Sequence, residues 1–82
     1  MLEVAPNPFR DVIHIRLTLG GQEKVSIRLL DSKGAVVRQV EYTGVKGQNA
    51  LPLGGLSSLP VSVYFVQVVL SDHAFTRKVF NR

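Results

Sequence analysis

The sequence predicts an all-β domain, a seven-stranded immunoglobulin-like antiparallel β-sandwich, on three observations. Short runs of β-forming residues alternate apolar with polar at period two. Gly, Pro and Asx clusters separate the runs, and no stretch shows the apolar spacing of an amphipathic helix. Seven such runs, joined mostly by short loops, match the strand number of the sandwich.

The first run is short, Leu2 to Val4. In the next, Ile13, Ile15, Leu17 and Leu19 share one face and His14, Arg16 and Thr18 the other, which makes a half-buried strand. The third puts Val25, Ile27 and Leu29 inside and Lys24, Ser26 and Arg28 outside. Gly20-Gly21-Gln22-Glu23 between these two runs tolerates positive φ, so they read as a hairpin. Asp31-Ser32-Lys33-Gly34 fits a type I turn, with the Asp side chain bonding the backbone ahead of it and Gly34 leaving in a left-handed conformation.

A fourth strand runs from Val36 to Tyr42, a turn is bracketed by Gly44 and Gly47, and a fifth strand covers Asn49 to Leu53. Gly54-Gly55 and Pro60 bound a loop. Val61 to Leu70 is apolar on both faces, as expected of a strand covered on both sides or a central strand whose outer face meets a partner. Ser71-Asp72-His73 turns the chain into the last strand, Ala74 to Asn81, where Phe75, Arg77 and Val79 share one face and Thr76, Lys78 and Phe80 the other. The expected core is Ile13, Ile15, Leu17, Val25, Ile27, Leu29, Val37, Leu51, Val66 and Val68.

Composition narrows the function. With 82 residues, 45% hydrophobic and 20% charged, the chain is one globular domain that folds by itself. A domain of this size buries roughly 60–65% of its unfolded surface, too little for an enclosed active site. Cysteine is absent, so disulfides, thiolate metal sites and Cys nucleophiles are excluded together. No run reaches the roughly 20 apolar residues of a membrane helix. The start Met1-Leu2-Glu3 lacks the basic and apolar regions of a signal peptide, so residues 1–82 are expected to be a piece of a longer secreted protein. The formal charge of +4 is scattered over Arg10, Arg16, Lys24, Arg28, Lys33, Arg38, Lys46, Arg77, Lys78 and Arg82, which reads as solvated strand faces and not as a nucleic-acid patch.

Nothing in the polar residues carries catalysis. His14, His73, Asp11, Asp31, Asp72 and the serines have no specific mutual spacing, His14 alternates outward, and Asp72-His73 is an ordinary polar turn before it is a metal site. Gly20-Gly21 and Gly54-Gly55 lack the helix that follows a phosphate cradle. Without Trp, and with only Tyr42, Tyr64 and four Phe, a flat aromatic platform for sugars is unsupported. No enzymatic activity, cofactor, metal or nucleic-acid partner is expected.

A series of motifs is more informative. Pro6-Asn7-Pro8-Phe9, Val25-Ser26-Ile27-Arg28-Leu29-Leu30-Asp31, Gly34, and Val63-Tyr64-Phe65-Val66-Gln67-Val68 follow one another in this order. Pro6 and Pro8 fix φ and favour extended conformations at Ala5 and Asn7, a stiff, rod-like lead-in that sets Phe9 onto the sheet. The Asp31 to Gly34 turn pins the register that keeps Ile27 and Leu29 inside. Together these motifs, from Pro6 to Lys78, resemble the C-terminal sorting domains of the type IX secretion system of Bacteroidota. The chain departs from that family's usual pattern at Ala5, where an aromatic is common, at Ser62, where Gly is usual, and in its end Lys78-Val79-Phe80-Asn81-Arg82, where the family has several Lys.

The resemblance implies a signal and not a catalyst. The domain would direct an upstream cargo protein in the same chain through the periplasm and across the outer membrane, to the cell surface or the medium. Its partners would be the type IX translocon and shuttle components, and a sortase-like cysteine protease that removes the domain and joins the cargo to an anionic lipopolysaccharide. Pro6, Asn7, Pro8, Phe9, Asp31, Gly34, Tyr64, Arg77 and Lys78 are the recognition residues it implies. The apolar strand from Val63 to Leu70 adds an expectation of self-association through a face or an edge. The alternative is an immunoglobulin-like adhesive or carbohydrate-binding accessory module.

Overall fold

In the computed structural model, which describes residues 2–82 and leaves Met1 of the Met1-Leu2-Glu3 start outside, the period-two runs form seven strands. These are β1 (Leu2–Ala5), β2 (Ile13–Leu19), β3 (Glu23–Leu30), β4 (Val36–Gly44), β5 (Gly47–Leu53), β6 (Val63–Val69) and β7 (Ala74–Phe80). They make two antiparallel sheets, β1-β2-β5 and β4-β3-β6-β7, whose apolar faces enclose one core. The result is the expected immunoglobulin-like sandwich, with β4 lying beside β3 in the larger sheet.

The hairpin expected between the second and third runs does not form. β2 pairs with β1 and β5, whereas β3 pairs with β4 and β6, so residues 20–22 carry the chain from one sheet to the other. Gly20 and Gly21 accordingly do not have positive φ; the left-handed glycines are Gly34, Gly47 and Gly55, at φ 86°, 98° and 73°. Alternation in β2 and β3 is equally consistent with a flat hairpin and with an arch. The arch prevails because it turns two apolar faces toward each other, whereas a hairpin leaves both on one side in need of a cover.

The hairpin from β3 to β4 forms as expected. Gly34 N donates to Asp31 O at 3.0 Å, and Asp31 Oδ1 accepts from Lys33 N and Ala35 N, each at 2.9 Å. The pairing then steps from Leu29↔Arg38 to Leu30↔Val36, leaving Val37 as the extra residue of a bulge. Val37 is therefore half-buried at the margin, a correction to its expected place in the core. The other nine expected core residues are buried, joined by Phe9, Leu19, Leu53, Leu56, Tyr64 and Val79.

β6 is central, between β3 and β7. Tyr64, Val66 and Val68 enter the core, while Val63, Phe65, Gln67 and Val69 lie half-buried on the outer face. There Phe65 stands in one cross-strand row with Leu30 and Lys78, which explains why this run is apolar on both sides.

Polar clasps close the flank where β4 faces β5. Arg38 donates from Nε (3.2 Å) and Nη2 (2.8 Å) to the carbonyl of Gly55, and the Tyr42 hydroxyl donates to the carbonyl of Pro52. Gly44 is buried at this crossing, and a Cβ there would meet the Leu19 side chain.

Candidate functional site

The opposite flank of the sandwich is built from the chain's first and last segments. After β1 the chain does not run straight: it bends at Asn7, Pro8 and Arg10, and the peptide bonds before Pro6 and Pro8 are both cis. The expected rod is thus replaced by a bent segment that leaves the smaller sheet, touches β7 of the larger one, and returns to β2. Phe9 is anchored as expected, fully buried, with its ring edge-on to Tyr64 at 5.9 Å and 68°. The Tyr64 hydroxyl donates to the carbonyl of Pro60 at 2.6 Å, bonding backward to the upstream backbone as the corner tyrosine of immunoglobulin-like sandwiches does.

Asn7 and Phe9 occupy the free edge of β7. Asn7 Oδ1 accepts from Phe80 N at 3.1 Å, and its Nδ2 donates to Lys78 O at a long 3.4 Å. Phe9 N donates to Phe80 O at 2.9 Å, and Arg82 N donates to Phe9 O at 3.1 Å. The Asn7 carboxamide, one acceptor and one donor, stands where the peptide group of a further strand would be.

These bonds fix which backbone groups of β7 face outward. In an antiparallel ladder alternate residues turn both N–H and C=O to the same neighbour. Phe80 turns both toward Asn7 and Phe9, so Lys78, Thr76 and Ala74 also face away from β6, while Val79, Arg77 and Phe75 bond to Tyr64, Val66 and Val68. Across Ala74 to Lys78 no strand lies beside this edge among the described residues. Arg77 and Lys78 flank it on opposite faces, both exposed. The ion pairs among the described residues are Arg16–Glu3 at 3.8 Å and His73–Asp72 at 2.7 Å, so neither Arg77 nor Lys78 has an acidic partner.

Of the residues singled out from the sequence, Pro6, Asn7, Pro8, Phe9, Tyr64, Arg77 and Lys78 therefore belong to one flank. Asp31 and Gly34 do not join them. Their turn is at the same end of the larger sheet but beyond β3, two strand spacings or roughly 10 Å from β7. His14 is exposed on β2, and His73 sits in the β6–β7 turn, where its hydrogen bond and charge hold the exposed Asp72 carboxyl below its ordinary value.

Sequence reasoning missed Asn81. It is buried, accepts from Ser62 N at 2.9 Å, and donates to Leu59 O at 3.2 Å and Pro60 O at 2.9 Å, tying the loop before β6 to the end of β7. An Asn near the end of a strand carries no local signal of such a role. Asn81→Ala leaves one N–H and two carbonyls without this partner and is expected to destabilise the domain by about 2–3 kcal/mol, read as a lower midpoint in urea at unchanged slope.

Comparison with known proteins bears on the whole chain. The family model described as secretion system C-terminal sorting domain matches residues 3–81. No curated protein matches the chain.

Proposed function

The chain belongs to the C-terminal sorting domains of the type IX secretion system, and on that premise we propose that it labels an upstream cargo in the same polypeptide for passage across the outer membrane. Residues 1–82 form the label. It is read in the periplasm by the translocon and its shuttle components, crosses with the cargo, and is then removed by a sortase-like cysteine protease as the cargo is joined to a surface lipopolysaccharide. Its own part is binding, without catalysis.

The observation that supports a binding role for one surface is the convergence of the family motifs. Pro6 to Pro8, Arg77 and Lys78, far apart in sequence, lie along the surface of a single flank with unpaired charge and an open strand edge, and the buried Phe9 and Tyr64 hold that flank in place from within. Fusing residues 1–82 to a fluorescent cargo carrying a signal peptide, in a host that has the system, tests the function. Fluorescence at the cell surface or in the medium is expected, and retention in the periplasm refutes it.

Charge at this flank separates recognition from folding. Exposed unpaired charges contribute little to stability, so Arg77→Ala with Lys78→Ala is expected to leave the melting temperature nearly unchanged. Export of the same cargo is expected to fall, with the precursor accumulating in the periplasm. Unimpaired export would move recognition to the Pro6 to Phe9 segment or to the Asp31 to Gly34 turn.

A further inference from the structure

We propose that the export machinery reads this domain through its backbone, by adding one extended segment beside β7 from Ala74 to Lys78, and that this segment bears acidic side chains next to Arg77 and Lys78. The inference rests on the sorting function and names the kind of partner that the flank accepts.

Among the described residues the sandwich has four sheet edges, and three are blunted. β1 has only four residues, β4 is bulged at Val37 and clasped by Arg38 and Tyr42, and β5 contains Pro52, which has no N–H to donate. β7 is different. Its far end is closed by Asn7 and Phe9, but Ala74 and Thr76 turn both backbone groups outward, and Lys78 its N–H, over a regular stretch without proline or bulge; the Thr76 carbonyl accepts from Arg77 Nη1 at 3.2 Å, a bond of an exposed side chain that an incoming strand would have to displace. Such an edge is a template for strand addition, in which backbone bonds give affinity and alternate side chains give selectivity.

The same geometry limits the partner. A segment running along β7 meets the Asn7 carboxamide at Lys78, so it pairs over about five residues, or ~17 Å. Neighbouring side chains on that segment point to opposite faces, one beside Arg77 and one beside Lys78, so an adjacent pair of acidic residues answers both charges. A second copy of this chain is disfavoured, because two β7 edges paired antiparallel over Ala74 to Lys78 would set Phe75 beside Arg77 and Ala74 beside Lys78 and bring no acidic residue to either charge.

Proline at Thr76 isolates the backbone contribution. The Thr76 N–H faces away from β6, so Thr76→Pro removes an outward donor and places its ring on the open edge, while the β6 ladder, Arg77 and Lys78 are kept. In the full-length cargo-bearing protein expressed in its bacterium, Thr76→Pro is expected to abolish export, and Thr76→Val, which keeps the N–H, to preserve it. Circular dichroism and protease resistance of the purified domain establish that the variant is folded. Where Thr76→Pro fails to fold, Ala74→Pro tests the same edge, since its N–H also faces outward.

Export of a folded proline variant at the wild-type level overturns the proposal. So does a concentration-dependent dimer of the purified domain, seen by light scattering and lost in the proline variant, because a second copy would then occupy the edge. Deleting residues 2–82 is the independent control. If cargo lacking them is still exported, the sorting function itself fails; if only the proline variants are exported, that function stands and the strand-addition proposal alone is lost.

Discussion

Replacing Phe9 by alanine is expected to destabilise the domain by about 3–5 kcal/mol, the range for truncating a buried aromatic. The ring is fully buried and meets Tyr64 edge-on, so the substitution leaves a cavity between the sheets and removes an aromatic contact. It also loosens the segment whose backbone bonds to Phe80 and Arg82. At roughly 0.05–0.15 kcal/mol per residue, the stability of a chain this short is about 4–12 kcal/mol, so the loss is a large share of the whole. Urea denaturation measures it, and Phe9→Leu, which refills much of the volume, is expected to recover more than half. A Phe9→Ala loss below about 1 kcal/mol would mean that the lead-in segment does not pack between the sheets as described.

Ile27→Ala is expected to cost about 2–5 kcal/mol. Ile27 lies at the middle of the larger sheet, fully buried, opposite Val40 on one side and Val68 on the other. Its paired neighbours on β4 and β6 cannot collapse into the space without disturbing both ladders. Val37→Ala, at a half-buried bulge, is the contrasting substitution and is expected to cost under about 1 kcal/mol. Equal losses at the two positions in denaturant melts would mean that the register of β3 and β4 is misplaced.

Much of the flank is legible in the sequence. Phe9, Tyr64, Arg77 and Lys78 stand out through their place in a recognisable series, and Phe9 docks where the motif implies. What each residue does was not legible. Asn7 reads from sequence as one member of a proline-flanked tetrapeptide, yet it bonds to Lys78 and Phe80 across 71 and 73 positions of the chain. Asn81 and the outward direction of Thr76 have no local signal, because each depends on which neighbour a strand acquires.

The course of the strands, the apolar face of β2 and β3, and the place where the Asp31 to Gly34 turn reverses the chain are all legible in the sequence. These follow from period-two alternation and from turn residues acting on their own neighbours, which are interactions of short range. The separation of β2 and β3 into different sheets, the displacement of Val37 by a bulge, and the closing of the Lys78 to Phe80 end of the β7 edge by the first segment belong to the tertiary structure. Alternation states which side of a strand seeks cover but not which strand supplies it. That choice belongs to the whole chain, because each edge can bond one neighbour and the apolar faces are buried only when all seven strands have settled their pairings together.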